Sequence, residues 1–270
     1  SSFDAPIRIP DDELREPLEK SQVKAPRERG TDVPLFSPIA GQMGHHLGDR
    51  VVSERWTRVC NDLVHRACEL YPSSFIGVCQ LPQSPGVSPA NCVEELRRCV
   101  DELGFVGCNL NPDTSGGFFN GPGLADKHFY PLYEKMCELR VPAMVHVSEA
   151  CNTPYFQTTG SYYLAADTVA FMQLMTSDLF KDFPDLKFII PHGGGAVPFH
   201  WGRFRGLADI GVDRVTMHRL PRGFRDHVDR RQLQPRAGHA LADRSVAARG
   251  YAVEQRRFDE ARQQAAHLDA

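Results

Sequence analysis

The chain of 270 residues contains no apolar run that approaches the roughly 18 residues of a membrane-spanning helix, so no membrane partner is expected. No basic-then-apolar leader opens it. None of its eight cysteines stands in a CxxC pair. They fall between Cys60 and Cys151 and read as free, buried thiols in a reducing, cytoplasmic setting, with disulfides the weaker alternative. A strong charge imbalance is also lacking. The formal net charge of −3 gives no global reason to expect nucleic acid as a partner. No GxGxxG follows the first strand-like run, which disfavours a dinucleotide-binding doubly wound fold. No internal repeat is evident.

What is present is an ordinary globular composition, 41% hydrophobic. Residues 1–32 are charged and proline-containing and read as a loop or poorly ordered start. "VPLFSPI" (33–39) reads as a short buried strand. Between Val51 and Tyr71, apolar residues recur every three or four positions, which predicts an amphipathic helix. "FIGVCQL" (75–81) predicts a strand. Ser88-Pro89 opens a helix that Gly104 ends. Strands follow at 105–111, 142–147 and 186–192, with helices at 126–139, 162–180 and from Val197. Short, continuously apolar strands alternating with helices predict a parallel sheet buried on both faces. The expected fold is α/β, a (β/α)8 TIM barrel or most of one, over residues 33–211.

Residues 212–270 differ. They hold twelve arginines and no lysine, cysteine or tryptophan. They read either as a basic tail that binds partners or as out-of-frame translation of GC-rich coding DNA. The second reading is favoured.

In a parallel barrel, chemistry gathers where strands end. The strands here run into Asn109, His146 and His192. "PHGGGAVPFH" follows the last with three glycines, which would let backbone approach a ligand closely. The adjacent pair His45 and His46 supplies a substrate contact or loop packing. Either Tyr162 or Tyr163 could face the site as a proton donor. Arg203 and Arg205, two apart on a helix, could not both face it, and one of them could hold a carboxylate.

"LPQSPG" (81–86), "NLNPDTSGG" (109–117) and "FIIPHGGGAVPFHWGRFRG" (188–206) resemble the amidohydrolase-2 family, in its aminocarboxymuconate-semialdehyde decarboxylase group, over roughly residues 25–210. The longer motifs are most similar to those of the hydratases that act on 4-oxalomesaconate. The resemblance implies an amidohydrolase-type barrel and one divalent metal, usually zinc. It makes His146 a metal ligand, and His192 and Tyr162 proton-transfer groups. His45, His46, Asn109 and Arg203 become contacts to a small oxo-carboxylic acid. A related metal-dependent decarboxylase is the alternative, and a homo-oligomer is compatible. The family's HxH pair and late acidic ligand are not found, so the expectation is an incomplete barrel without its first strand and last βα units, and an inactive fragment.

Overall fold

The computed structural model describes residues 9–157 and 159–204. Six strands and their intervening helices follow one another in the βα order the sequence predicts. The strands are β1 (Leu35–Phe36), β2 (Ile76–Gly77), β3 (Cys79–Gln80), β4 (Cys108–Leu110), β5 (Ala143–Val145) and β6 (Phe188–Ile189). All their pairings are parallel, in the order β1-β2 and β3-β4-β5-β6. The single run 75–81 supplies two strands. Ile76–Gly77 pairs back to β1, and Cys79–Gln80 pairs forward to β4. Among the described residues the strands form a two-stranded and a four-stranded sheet, and neither closes on itself.

The helices are α1 (Asp11–Pro17), α2 (Lys24–Glu28), α3 (Arg50–Leu70), α4 (Cys92–Asp101), α5 (Tyr130–Leu139), α6 (Thr159–Met175) and α7 (Leu179–Asp182). Asp49 caps α3 by accepting from Val52 N at 3.0 Å. Ser88 caps the turn that leads into α4, and Gly104, at φ +70°, lets the chain turn out of it.

Side-chain parity divides the sheet. Cys79, Cys108, Leu110, Ala143 and Val145 point outward to Val64, Leu96, Cys99, Leu132 and Met136 on α3–α5, and together they form the main core. The other parity, Gln80, Asn109 and Met144, lies in one register row on the inner face. Asn111 and His146 follow on that face, each two residues beyond its row member.

Two expectations are corrected. The first concerns the opening segment. Within 1–32, residues 11–28 are helical: α1, a π-helical segment Leu18–Val23, and α2. Leu18 and Val23 pack on Ala67 and Phe75, and Asp11 pairs with Arg66 of α3. The sequence's prolines suggested a loop, but burial against α3 overrides that local signal. The second concerns strand β1, which is not buried, since Leu35 is 46% exposed. Residues 212–270, with the basic-tail and frameshift readings, lie outside the described residues, as does Arg205. No helix among the described residues is long and apolar enough to cross a membrane.

Candidate active site

The parallel strands deliver their C-terminal ends to one side of the sheet, where a line of buried polar side chains crosses them. His45 Nδ1 donates to the Gln83 carbonyl at 2.9 Å, and Ser53 Oγ donates to the same oxygen at 3.0 Å. Gln83 and Asn111 then bond reciprocally. The Gln83 amide donates to Asn111 O at 2.9 Å and accepts from Asn111 N at 2.7 Å. Asn111 continues to Ser148 at 3.1 Å. Burial, opposed by the Gln83 hydrogen bond and aided by nearby His46, drives the His45 pKa down to about 4, so His45 is neutral at pH 7.

Asp113 organises the loop after β4. Its carboxylate accepts from Ser115 N, Ser115 Oγ, Gly117 N, Phe119 N and the Tyr162 hydroxyl. That explains how Phe119 holds a left-handed φ of 50°. Tyr162, expected as a proton-transfer group, is fully buried and donates to Asp113 at 3.0 Å. Burial, and then the Asp113 charge, push its pKa far up, so its proton is firmly held. The tyrosine that meets the strand-end histidine is Tyr163. Its ring stacks on His192 at 5.6 Å between centroids, with 25° between planes.

His192 adopts φ +50° where the chain leaves β6. Its Nδ1 lies 2.6 Å from Oδ2 of Asp167, a carboxylate on α6 with no solvent exposure. Burial raises the Asp167 pKa and His192 opposes the rise. Of the three glycines beyond His192, Gly195 serves this docking. A Cβ on Gly195 would lie 2.5 Å from Thr168 Oγ1 and 2.8 Å from Thr168 N, so only glycine lets the loop meet α6. Ala196 N donates to Thr168 Oγ1 at 2.9 Å and fixes the contact.

His146 lies half-buried past the end of β5, its N donating to Leu110 O at 2.9 Å. Burial and the neighbouring His192 lower its pKa to about 4. His146 and His192 are therefore the sequence-predicted residues the fold brings together. Asn109 is wholly buried and donates to Ser37 Oγ at 3.1 Å, while its Oδ1 finds no partner. His45 is only 2% exposed. Both side chains are buried and hydrogen-bonded within the protein. His46 Nδ1 and Cys151 Sγ both border Gly116, where a Cβ would lie 3.4 Å and 2.6 Å from them. Arg203 is exposed on the helical turn at 201–204.

The donors present do not make a metal centre. Among the described residues no three His, Cys, Asp or Glu side chains come close enough to hold an ion, and one or two imidazoles fall short of the three protein ligands of a catalytic zinc. All eight cysteines are free thiols. Sequence reading missed Gln83, Asp113 and Asp167. The first two carry a weak signal, a polar residue just after an apolar strand. Asp167 carries none, because it sits inside a helix.

A parallel βα wall with polar strand ends and a histidine after each of the last two strands defines the class, and the chain belongs to the amidohydrolase family, whose model matches residues 4–230. More particularly, it is 58% identical over 202 residues, 75% of its length, to the 2-keto-4-carboxy-3-hexenedioate hydratase of Sphingobium sp. (strain NBRC 103272 / SYK-6), and covers 59% of that protein. The crystal structure of 4-oxalomesaconate hydratase from Rhodopseudomonas palustris matches with 54% identity and a TM-score of 0.67, covering 75% of this chain and 56% of that one. The dihydroxybenzoic acid decarboxylase of Polaromonas sp. JS666, solved with bound manganese and 2-nitroresorcinol, is 26% identical, with a TM-score of 0.57, over 72% of this chain and 62% of that one. The chain thus spans under two thirds of the length of each of these relatives.

Proposed function

We propose that the protein is a hydratase that adds water across the C=C bond of an unsaturated oxo-tricarboxylic acid such as 4-oxalomesaconate. The observation that carries this reading is the 58% identity over 202 residues to a hydratase. Hydration places hydroxyl on one alkene carbon and a proton on the other, so the site needs a base for water and donors for carboxylates. His192 is the base: with Nδ1 turned to Asp167, Nε2 is the basic nitrogen of the neutral ring, takes the proton from the attacking water and, as imidazolium, returns it to the other alkene carbon. His46, whose buried Nδ1 has no hydrogen-bond partner among the described residues, and Arg203 are the carboxylate contacts. His45 and Asn109 support them from buried positions, and Tyr162 acts through the Asp113 loop.

Zinc, implied by the resemblance, belongs to this proposal for the whole protein, with His146 as the ligand the resemblance gives it. No step above passes through it. A cytoplasmic location, in keeping with the free thiols, and a homo-oligomeric state belong to the same proposal.

The second reading is a decarboxylase, favoured by the likeness to the manganese-bound decarboxylase. To test both, the chain is mixed with zinc or manganese and offered 4-oxalomesaconate or 2,6-dihydroxybenzoate. Loss of conjugated-alkene absorbance without release of CO2 supports the hydratase. CO2 from the dihydroxybenzoate, with the alkene untouched, overturns it.

A further inference from the structure

We propose that Asp167 is a positioning residue, whose carboxylate holds the His192 ring as the Nδ1–H tautomer and so turns Nε2 toward the reacting water. The part of this statement that concerns water rests on the hydratase reading. The tautomer does not.

One face of α6 builds the arrangement. Tyr163 and Asp167 stand four residues apart, one helical turn, and so project to the same side. Tyr163 stacks against the imidazole and Asp167 takes its Nδ1 edge. The next residue, Thr168, pins the loop four residues past the histidine by accepting from Ala196 N. Helix α6 thus fixes the plane, the edge and the backbone of His192. A left-handed φ at a non-glycine residue is disfavoured on its own, so these contacts must hold it there.

The carboxylate is committed to this task. Asp167 has no solvent exposure, and its Oδ1 has no hydrogen-bond partner among the described residues. It differs in this from the other two buried carboxylates of the region. Asp113 spends its oxygens on its own loop, and Glu95 pairs with Arg98 at 2.7 Å. An acceptor-only carboxylate facing Nδ1 requires a proton on that nitrogen, which leaves Nε2 as the base.

The test is a 15N–1H correlation on histidine-labelled full chain near pH 8, well above the ordinary histidine pKa of about 6.5. The His192 resonances are assigned by comparison with His192→Gln. Unmodified protein is expected to show His192 protonated at Nδ1. Asp167→Asn, which keeps the shape but can donate its amide to Nδ1, is expected to move the proton to Nε2. In the hydration assay the same variant is expected to lower kcat by about 100-fold or more with KM within about 2-fold, as wrong-tautomer variants do. Asp167→Glu is expected to recover part of kcat. An Nε2–H tautomer in the unmodified chain overturns the proposal whatever the Asp167 variants do. So does an unchanged tautomer in Asp167→Asn. Should the unmodified chain show no turnover, the hydratase reading fails for it, and the tautomer still decides the role of Asp167.

Discussion

At the residue scale, His45 links the electrostatics of the site to stability. Its folded pKa of about 4 lies below the ordinary histidine value of 6.5. The unfolded chain therefore takes up a proton as pH falls through 6.5, while the folded chain resists until about 4. Stability rises with pH wherever the unfolded state binds more protons, so it is lost on acidification across that window and levels off at either end. The gap amounts to about 3 kcal/mol. His146 titrates over the same window, so His45→Gln is expected to remove roughly half of the histidine contribution to the slope. Urea unfolding at a series of pH values reads this directly. Carboxylates titrate there as well but are common to both proteins, so only the difference between the curves matters. Parallel curves would show that His45 is hydrated in the folded state.

Residue-scale legibility follows the same physics. His146 and His192 were visible because a charged or polar side chain closing an apolar run breaks the strand pattern. The packing duty of Gly195 was not legible, because the sequence shows that close approach is allowed but not to what. The surface Gly195 approaches is α6, which precedes α7 and β6 in the chain. Asp167 was invisible because its partner lies 25 residues away and nothing local marks an aspartate on a helix for burial.

At the element scale, the βα order and the parallel sheet were legible, since period and burial are local properties of each segment. How the run 75–81 divides between two pairings was not, because register depends on partners distant in sequence. Asn61 shows how α3 secures that run. Fully buried, it accepts from Gln80 N at 2.9 Å, donates to Gln80 O at 3.0 Å, and donates to Glu95 Oε1 at 2.8 Å. A helix side chain thus stands in for a neighbouring strand, satisfying both backbone groups of a sheet residue, and ties them to the buried Glu95–Arg98 pair. Asn61→Leu keeps the volume but leaves the buried Gln80 N–H and C=O without their partner, while Glu95 keeps Arg98. It is expected to cost about 3 kcal/mol at the usual penalty for such groups. The measurement is the denaturation midpoint at constant m. A loss below about 0.5 kcal/mol would mean that water replaces the side chain.

At the scale of the whole molecule, burial falls off from the sheet outward, and stability to local opening should follow it. Cys79, Cys108, Leu110, Ala143 and Val145 are at most 1% exposed, and the helices packed on them contribute Leu96, Leu132 and Met136 at the same level. Helix α1 buries no residue of its own. It is held through Leu14, the Leu18 and Val23 contacts, and the Asp11–Arg66 pair, which is too exposed to count for much. Opening α1 therefore exposes little apolar surface, while opening β4 exposes the centre of the core. Amides of β3, β4 and β5 are expected to exchange with solvent deuterium only through global unfolding, with α6 next, and those of Asp11–Pro17 to exchange first. The α6 ranking carries functional weight, because that helix supplies both Tyr163 and Asp167 to His192. Protection of α6 close to that of the sheet would mean that the histidine is held by an element as rigid as the strand it follows. Exchange of α6 as fast as α1 would contradict that, and would leave the orientation of His192 to the glycine turn alone.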